Sequence, residues 1–185
     1  RMVTHGHLAM GRQVGSLFFD LLAKERWGVV AYLLEKLPKI AGAMVPNENA
    51  NSCTTALQAT IVAFGCACDD GRQLPTNAAT SPHWKFFKQL LALKSPMVAH
   101  NNSALHETLR SPQYVMFLGE ILQWYRDNQL DPNSDMIIVT AGIGCNPTTR
   151  VNSLYTAIIN NQGPSIIKVL LAAGLDPYGT PDDVD

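Results

Sequence analysis

Charged residues are scarce in this sequence, and their scarcity limits the classes of protein it can represent. They make up 16% of the 185 residues, against about 25% in a typical soluble domain. The 14 basic and 15 acidic side chains nearly cancel, leaving a net charge of −1. Because a nucleic-acid binder normally carries a basic face, we expect no nucleic-acid partner. The hydrophobic share of 46% excludes a disordered tail and is enough for a sizeable core.

Long hydrophobic runs and a secretion signal are also missing from the sequence. No apolar run approaches the roughly 18 residues that a membrane span needs, so we expect no membrane partner. The apolar segment Ser16–Leu22 lacks the basic lead and the small-residue cleavage site of a signal peptide. The chain opens on Arg1 rather than on Met, which we interpret as a sign that it is a fragment of a longer protein.

Cysteine is sparse, and the four cysteines are too few for a disulfide scaffold in a chain of this size. We interpret Cys53, Cys66, Cys68 and Cys145 as free thiols that pack as small apolar groups, which predicts a reducing, cytoplasmic location. Cys66 and Cys68 could join His83 as metal ligands. Zinc sites favour a wider gap between cysteines and a fourth ligand, so we expect no metal and no cofactor.

Three segments of the chain resemble one another. Each opens on small polar residues, continues with a leucine and then has a hydrogen-bonding or aromatic residue, and a weaker fourth copy lies near the start. The leucines at this anchor position are Leu17, Leu57, Leu105 and Leu154. In three copies another leucine follows the anchor by 17 residues, and we expect these second leucines to be buried: Leu34, Leu122 and Leu171.

The residues around each anchor are typical of a helix–turn–helix unit. A Ser or Thr before the leucine can cap the first helix by accepting a hydrogen bond from a backbone N–H. Pro112 and Pro164 suit the first turn of a second helix. Apolar residues then recur with helical spacing, as at Ile167 and Leu170. Gly174 follows the last such helix and predicts a left-handed cap at its end.

These motifs resemble the ankyrin-repeat family, which has a Thr-Pro-Leu-His-x-Ala opening, a Val-x-x-Leu-Leu second helix and a Gly-Ala-Asp-x-Asn ending. Ser103–Thr108 and Asn152–Ala157 match the opening with substitutions, and Ile167–Pro177 matches the second half. The resemblance implies an all-α, ankyrin-like solenoid in which one array fills residues 1–185. Its four helix–turn–helix repeats would span about 15–46, 51–98, 101–133 and 150–178. It also implies that His106 hydrogen-bonds the backbone of the neighbouring loop.

The copies are spaced more widely than the family's period of about 33 residues, so loops must hold the extra residues. The first insertion, 65–81, is rich in Gly, Pro, Asn and Asp, which predicts a loop between helices at about 55–64 and 82–93. The second, 133–149, contains the β-prone run Met136–Thr140. We expect it to form an elongated finger loop with strand character.

The resemblance implies a protein-binding module without catalytic residues, whose partner contacts the concave face and the finger loops. The expected contacts are mostly amides, with one arginine and two isoleucines of the finger: Asn101, Asn102, Gln113, Ile137, Ile138, Arg150, Ser153, Asn161 and Gln162. Arg150 is the expected central contact, because arginine is enriched among interface hot spots.

The degenerate repeats and long insertions also resemble the ankyrin regions of bacterial effectors delivered into host cytoplasm. In one such group the ankyrin region selects host caspases for an enzymatic domain. That resemblance implies a host protein, such as a caspase, as the partner, and a place in a larger effector that is secreted into the host.

A small helical enzyme with a Cys/His site is the alternative hypothesis. Cys145 could act as a nucleophile with His100 or His106 as its base, and the loop around Cys66 could act with His83. Thiol titration and metal analysis would separate this hypothesis from a binding module.

The last helix pair carries apolar residues on several sides, whereas a terminal repeat normally has a polar outer face. We therefore expect that the natural chain continues past Asp185 or that another molecule covers this end.

Overall fold

The computed structural model describes residues 15–46, 53–69, 80–99, 102–134, 137–140 and 148–177. The described residues are mostly helical, which confirms the predicted dominance of helix. The helices are α1 (15–23), α2 (Trp27–Lys36), α3 (Ala56–Asp69), α4 (Pro82–Ala92), α5 (Ala104–Thr108), α6 (Leu118–Asp127), α7 (Ser153–Ile159) and α8 (Pro164–Ala172). No helix among these ranges has both the length and the apolar character needed to cross a membrane.

Short strands precede the helix pairs in chain order. They are β1 (Met44–Pro46), β2 (Cys53–Thr55), β3 (Val98–Ala99), β4 (Asn102–Ser103), β5 (Ile137–Thr140) and β6 (Thr148–Val151). β1 pairs antiparallel with β2, with Met44 opposite Thr55. β5 pairs antiparallel with β6, with Ile137 opposite Val151. The expected strand character of the finger is therefore confirmed at its base, while 141–147 lie outside the described residues.

The chain divides into two compact units, Arg1–Ala99 and His100–Asp185. The division falls between the predicted second and third copies. In the first unit α3 packs on α4 and α2 packs on α4. Its core is built from large apolar side chains that are buried on the facing sides of these helices: Phe18, Leu22, Val30, Leu34, Leu57, Ile61, Phe87 and Leu90.

In the first copy the buried residue at the anchor position is Phe18, one residue after the predicted Leu17. Leu17 is 52% exposed, whereas its neighbour Phe18 is fully buried and lies 6.3 Å, ring centroid to ring centroid, from Phe86. Either residue fits the helical pattern of apolar positions. In the structure the larger, aromatic side chain is the one that packs in the core. The expected burial of Leu34 is confirmed.

In the second unit α5 packs on α6 and α7, and α7 packs on α8. Leu122 is buried as expected, and the anchors Leu105 and Leu154 are buried as well. The burial predicted for Leu171 is wrong, because this side chain is 43% exposed and its neighbour Leu170 enters the core instead.

An additional turn of 3₁₀-helix explains the error at Leu171. In the third copy 26 residues separate the cap Ser103 from Gln129 at the end of the second helix, and in the fourth copy 22 separate Asn152 from Gly174. The third copy contains the 3₁₀ segment Pro112–Phe117 between its helices. Counted back from the helix end, the counterpart of Leu122 is therefore Ile167, which is half-buried. The equal 17-residue spacing joins positions that are not equivalent.

Left-handed backbone closes the second helices of three copies. Lys94, Gln129 and Gly174 have φ of 54°, 55° and 91°. The residue after each donates its N–H to a carbonyl five residues back, as Leu175 does to Leu170 at 3.1 Å. This is the 6→1 bond of a Schellman motif, and it confirms the predicted cap at Gly174. A Cβ at Gly174 would meet nothing within 4 Å, so the backbone angle rather than space favours glycine there.

The first helix of the second copy is longer than the sequence predicts. The expected loop 65–81 begins with Gly65, but α3 continues to Asp69. A single glycine costs a helix about 1 kcal/mol, and the alanine and cysteines that follow it are compatible with helical backbone. Residues 70–79 of this insertion lie outside the described residues.

Candidate interaction surface

Side-chain caps fix the start of the first helix in three copies. Thr55 Oγ1 accepts from the Gln58 N–H at 3.2 Å, and Gln58 Oε1 accepts in return from the Thr55 N–H at 2.8 Å. Ser103 Oγ accepts from the His106 N–H at 3.1 Å. Asn152 Oδ1 accepts from the Tyr155 N–H at 3.1 Å. The predicted Ser or Thr cap is confirmed at Thr55 and Ser103, whereas in the fourth copy Asn152 rather than Ser153 is the cap.

His106 connects the third copy to the base of the finger. Its Nε2 lies 3.3 Å from the Val151 carbonyl oxygen, and its Nδ1 lies 2.9 Å from Ser103 Oγ and 3.3 Å from Ser153 Oγ. A carbonyl oxygen only accepts, so the geometry assigns the proton to Nε2 and leaves Nδ1 as an acceptor for a serine hydroxyl. The expected hydrogen bond from His106 to the neighbouring backbone is thereby confirmed.

Burial keeps the His106 ring neutral. The residue is 1% exposed, and Ser103 and Ser153 are fully buried beside it. Desolvation lowers the pKa of His106 to about 4, although the backbone carbonyls near Nε2 act in the opposite direction. A second proton on this ring would be out of contact with water, and the charge of Arg110 also opposes it, so the neutral form dominates above that pH.

A second network holds the loop after α6 against the end of α8. Asn133 Nδ2 donates to the Gly174 carbonyl at 2.9 Å, and Asn133 Oδ1 accepts from the Asp176 N–H at 2.9 Å. Asn152 Nδ2 donates to the Asp176 carbonyl at 2.7 Å. Asn133 closes the Asp-x-Asn ending of the third copy, which is the signal in the sequence for its role.

These two networks position the finger formed by β5 and β6. Val151, the last residue of β6, is buried, and the register places Ile138 opposite Arg150. The finger therefore begins from a fixed, buried base. Asn102 lies in β4 and Ile137 in β5, so the backbone of these expected contact residues is part of short strands as well.

The other expected contact residues fall in different surroundings. Asn161 is exposed at the end of α7 with φ of 53°. Gln113 is half-buried in the 3₁₀ segment Pro112–Phe117. Asn101 lies outside the described residues.

Two expected contact residues are in the interior, which corrects their placement at the surface. Ser153 is fully buried beside His106. Gln162 is 8% exposed, and its Nε2 donates to the Leu109 carbonyl at 2.9 Å. Both side chains satisfy polar groups inside the unit, because the short connections between its helices leave buried carbonyls and ring nitrogens that need partners.

The helices of the last copy expose a group of apolar side chains. Tyr155, Ile158 and Ile159 of α7 are 48%, 59% and 53% exposed, and Val169 and Leu171 of α8 are 44% and 43% exposed. Single exposed apolar residues are ordinary, whereas a contiguous apolar patch is typical of a contact surface. The last described helix pair therefore exposes apolar side chains, while its cover by a continuing chain or by another molecule stays a prediction.

The two described histidines of the candidate Cys/His sites are enclosed. His106 is enclosed and both its nitrogens contact protein atoms. His83 is 6% exposed and packs against Trp27 and Phe64, with ring centroids 4.5 and 5.6 Å away. Cys145 and His100 lie outside the described residues. Across the described ranges no three His, Cys, Asp or Glu side chains form a group able to hold a metal ion.

Comparison of the chain with protein-family models, curated proteins and solved structures finds no match in any of the three.

Proposed function

We propose that this chain is an ankyrin-like module that binds a partner protein through its concave face and finger loops. The observation that carries the proposal is the finger base, where Val151 is buried and hydrogen-bonded to His106 directly beside Arg150. Binding residues are often on loops held by a rigid scaffold, because preorganisation lowers the entropy lost on binding. Arg150, Ile137 and Ile138 are the proposed contacts on this finger.

A repeated plan supports the same proposal. Strands and capped helix pairs alternate along the chain, and the caps Thr55, Ser103 and Asn152 all receive an N–H from the third residue after them. The cap, leucine and histidine of the third copy occupy the places that the ankyrin opening would give them. In that family such units recognise proteins, and the small share of charged residues in the sequence suits a protein partner rather than a nucleic acid.

The proposed setting is a reducing cytoplasm, of the producing cell or of a host. The resemblance in style to bacterial effectors makes a host protein the proposed partner and caspases the first class to examine. An enzyme with a Cys/His site is the weaker hypothesis, because its candidate base His106 is enclosed.

Charge reversal of Arg150 tests the proposal. The tagged chain is used to capture proteins from host-cell cytosol, purified caspases are tried in parallel, and a captured protein is then titrated by calorimetry. We expect Arg150→Glu to weaken binding by more than about 2 kcal/mol, the threshold of an interface hot spot. Its melting temperature should stay close to that of the unmodified chain.

Lys85→Glu is the matched control, since Lys85 is exposed in the first unit and the change in net charge is the same. It should leave affinity unchanged. A fall in melting temperature without a fall in affinity would give Arg150 a structural role. If Arg150→Glu combined with Gln113→Ala leaves affinity intact, the concave face is the wrong surface and the insertion 65–81 becomes the better candidate.

A further inference from the structure

A small cavity lies between the end of α6 and the end of α8 in the second unit. Its volume is about 200 Å³, and its lining is apolar apart from one basic residue. Leu122 and Tyr125 of this lining are buried, at 6% and 3% exposed, whereas Leu130 and Arg126 are exposed. The cavity therefore has an apolar interior and one cation on its solvent-facing side.

Hydrogen bonds fix the walls of this cavity. The Leu130 N–H donates to the Tyr125 carbonyl at 3.0 Å and closes the end of α6. Asn133 follows Pro132 of the lining, and its Nδ2 donates to the Gly174 carbonyl at 2.9 Å, which ties the chain after α6 to the end of α8. Both sides of the cavity are thus held in place by the protein itself, and preorganisation of this kind lowers the entropy lost on binding.

Arg126 is available to a carboxylate from outside the chain. Within the described ranges its side chain has neither an ion pair nor a hydrogen bond. The two nearest carboxylates in the sequence are engaged elsewhere: Asp127 Oδ1 accepts from Gln123 Nε2 at 2.5 Å, and Asp131 Oδ1 accepts from the backbone and side-chain N–H groups of Asn133 at 2.9 Å. A cation in the last turn of a helix also interacts favourably with the helix dipole, but that interaction leaves the guanidinium donors unused.

The size of the cavity limits what it can hold. Pockets for drug-sized ligands measure about 300–1,000 Å³, so this one suits a single side chain rather than a cofactor. Protein interfaces commonly place one large side chain of the partner in a small, well-packed pocket. The apolar lining suits an aliphatic side chain, and a carboxylate beside that side chain would form a charge-assisted hydrogen bond with the guanidinium.

We propose that this cavity receives a leucine side chain of a partner protein, from a segment in which acidic residues flank the leucine and pair with Arg126. The site lies at the ends of the second helices of the third and fourth copies and contains none of the finger residues. It therefore goes beyond partner binding by the finger and can fail independently of it.

An NMR titration of the isotope-labelled chain with short peptides tests the site. The probe is acetyl-Gly-Asp-Leu-Asp-Gly-amide, and we expect it to shift the backbone amide signals of 122–131 and 172–175 with a dissociation constant of about 1 mM or lower. Two matched peptides replace one feature each, with alanine in place of the leucine or asparagine in place of both aspartates. Each should bind at least about fivefold more weakly, because one loses the apolar contact and the other the ion pair.

Arg126→Gln separates the proposed pairing from a purely structural role. The variant should bind the asparagine peptide like the unmodified chain and should lose the preference for the aspartate peptide. A cation that served only the helix dipole would lower the melting temperature and leave the preference unchanged, which would overturn the proposal. Lys85→Gln is the matched control, since Lys85 is exposed in the first unit and the loss of charge is the same. It should keep the preference, and Arg150→Glu should bind the probe like the unmodified chain.

Three further results would overturn the proposal. The first is the absence of signal changes at about 5 mM probe, well above the expected dissociation constant. The second is equal affinity for the leucine and alanine peptides, since the cavity would then hold no side chain. The third is a shift of the same amide signals when the chain alone is concentrated, which would make a second copy of the chain the occupant.

Discussion

His106 shows how one buried side chain can join two repeated units. Its Nε2–H donates to the Val151 carbonyl, and its Nδ1 accepts from a serine hydroxyl, so both ring nitrogens are used only in the neutral tautomer. In the second copy Gln58 takes the same place after the cap, and there its Oε1 accepts from the Thr55 N–H of its own cap.

The neutral state of His106 predicts a dependence of stability on acid. The pKa is about 4 in the folded chain and about 6.5 when unfolded. Below pH 6.5 the unfolded chain binds a proton that the folded chain does not, so stability is complete above 6.5 and falls until pH reaches about 4. The loss from this residue is about 3 kcal/mol.

His106→Gln should remove that loss while retaining a side-chain donor. We expect the variant to be less stable than the unmodified chain at pH 7 by about 1 kcal/mol, the worth of an imperfect hydrogen bond. It should become equal or more stable as the pH approaches 4. Urea denaturation at several pH values measures both curves. Curves that stay parallel from pH 7 to 4 would contradict the assignment of a neutral, buried histidine.

Local sequence rules predict where the helices begin and end better than they predict which positions of the four copies are equivalent. Ser103 before Leu105, Pro164 at a first turn and Gly174 at a helix end each act through neighbours a few residues away, and all three were predictable. The choice of Phe18 over Leu17 depends on which side chain fills the core. That choice is made by contacts distant in sequence, which a local pattern does not contain.

The 3₁₀ turn Pro112–Phe117 had no sequence signal beyond its proline. This turn makes the third copy four residues longer than the fourth between the cap and the end of the second helix. The 17-residue distances Leu105–Leu122 and Leu154–Leu171 are therefore equal although Leu122 and Leu171 are not equivalent positions. The sequence does not show that Ser153 and Gln162 are buried. Small polar residues at helix ends suit a binding surface as well as a buried hydrogen-bond network, and burial decides between them.

Two neighbouring leucines test the corrected register of α8. Leu170 is fully buried and Leu171 is 43% exposed. We expect Leu170→Ala to cost about 2–5 kcal/mol, because it leaves a cavity in the core. Leu171→Ala should stay within about 0.5 kcal/mol, as surface substitutions usually do. Thermal or urea unfolding of the pair measures the difference; a larger cost at Leu171 would restore the 17-residue alignment.

The division into Arg1–Ala99 and His100–Asp185 gives the molecule two compact parts of similar size. The predicted second copy ends at 98 and the third begins at 101, which is close to this division. Turn residues and the cap of the next helix mark this boundary in the sequence. The single array predicted for residues 1–185 stays a prediction. Repeat proteins lose stability locally when a residue is removed, since each repeat depends chiefly on its neighbours.

Native-state hydrogen exchange tests whether the two parts respond separately. Leu170→Ala removes core volume from the second unit, and Phe87→Ala removes it from the first, where Phe87 is fully buried on α4. We expect Leu170→Ala to speed hydrogen exchange by roughly tenfold or more in 102–134 and 148–177. A tenfold change corresponds to a loss of about 1.4 kcal/mol in the free energy of opening. Protection in 15–46 and 53–69 should change much less, and Phe87→Ala should give the reverse pattern. Equal acceleration across all described segments in both variants would mean that the two units open together as one cooperative body, and a mutation in the first unit would then weaken the finger as well.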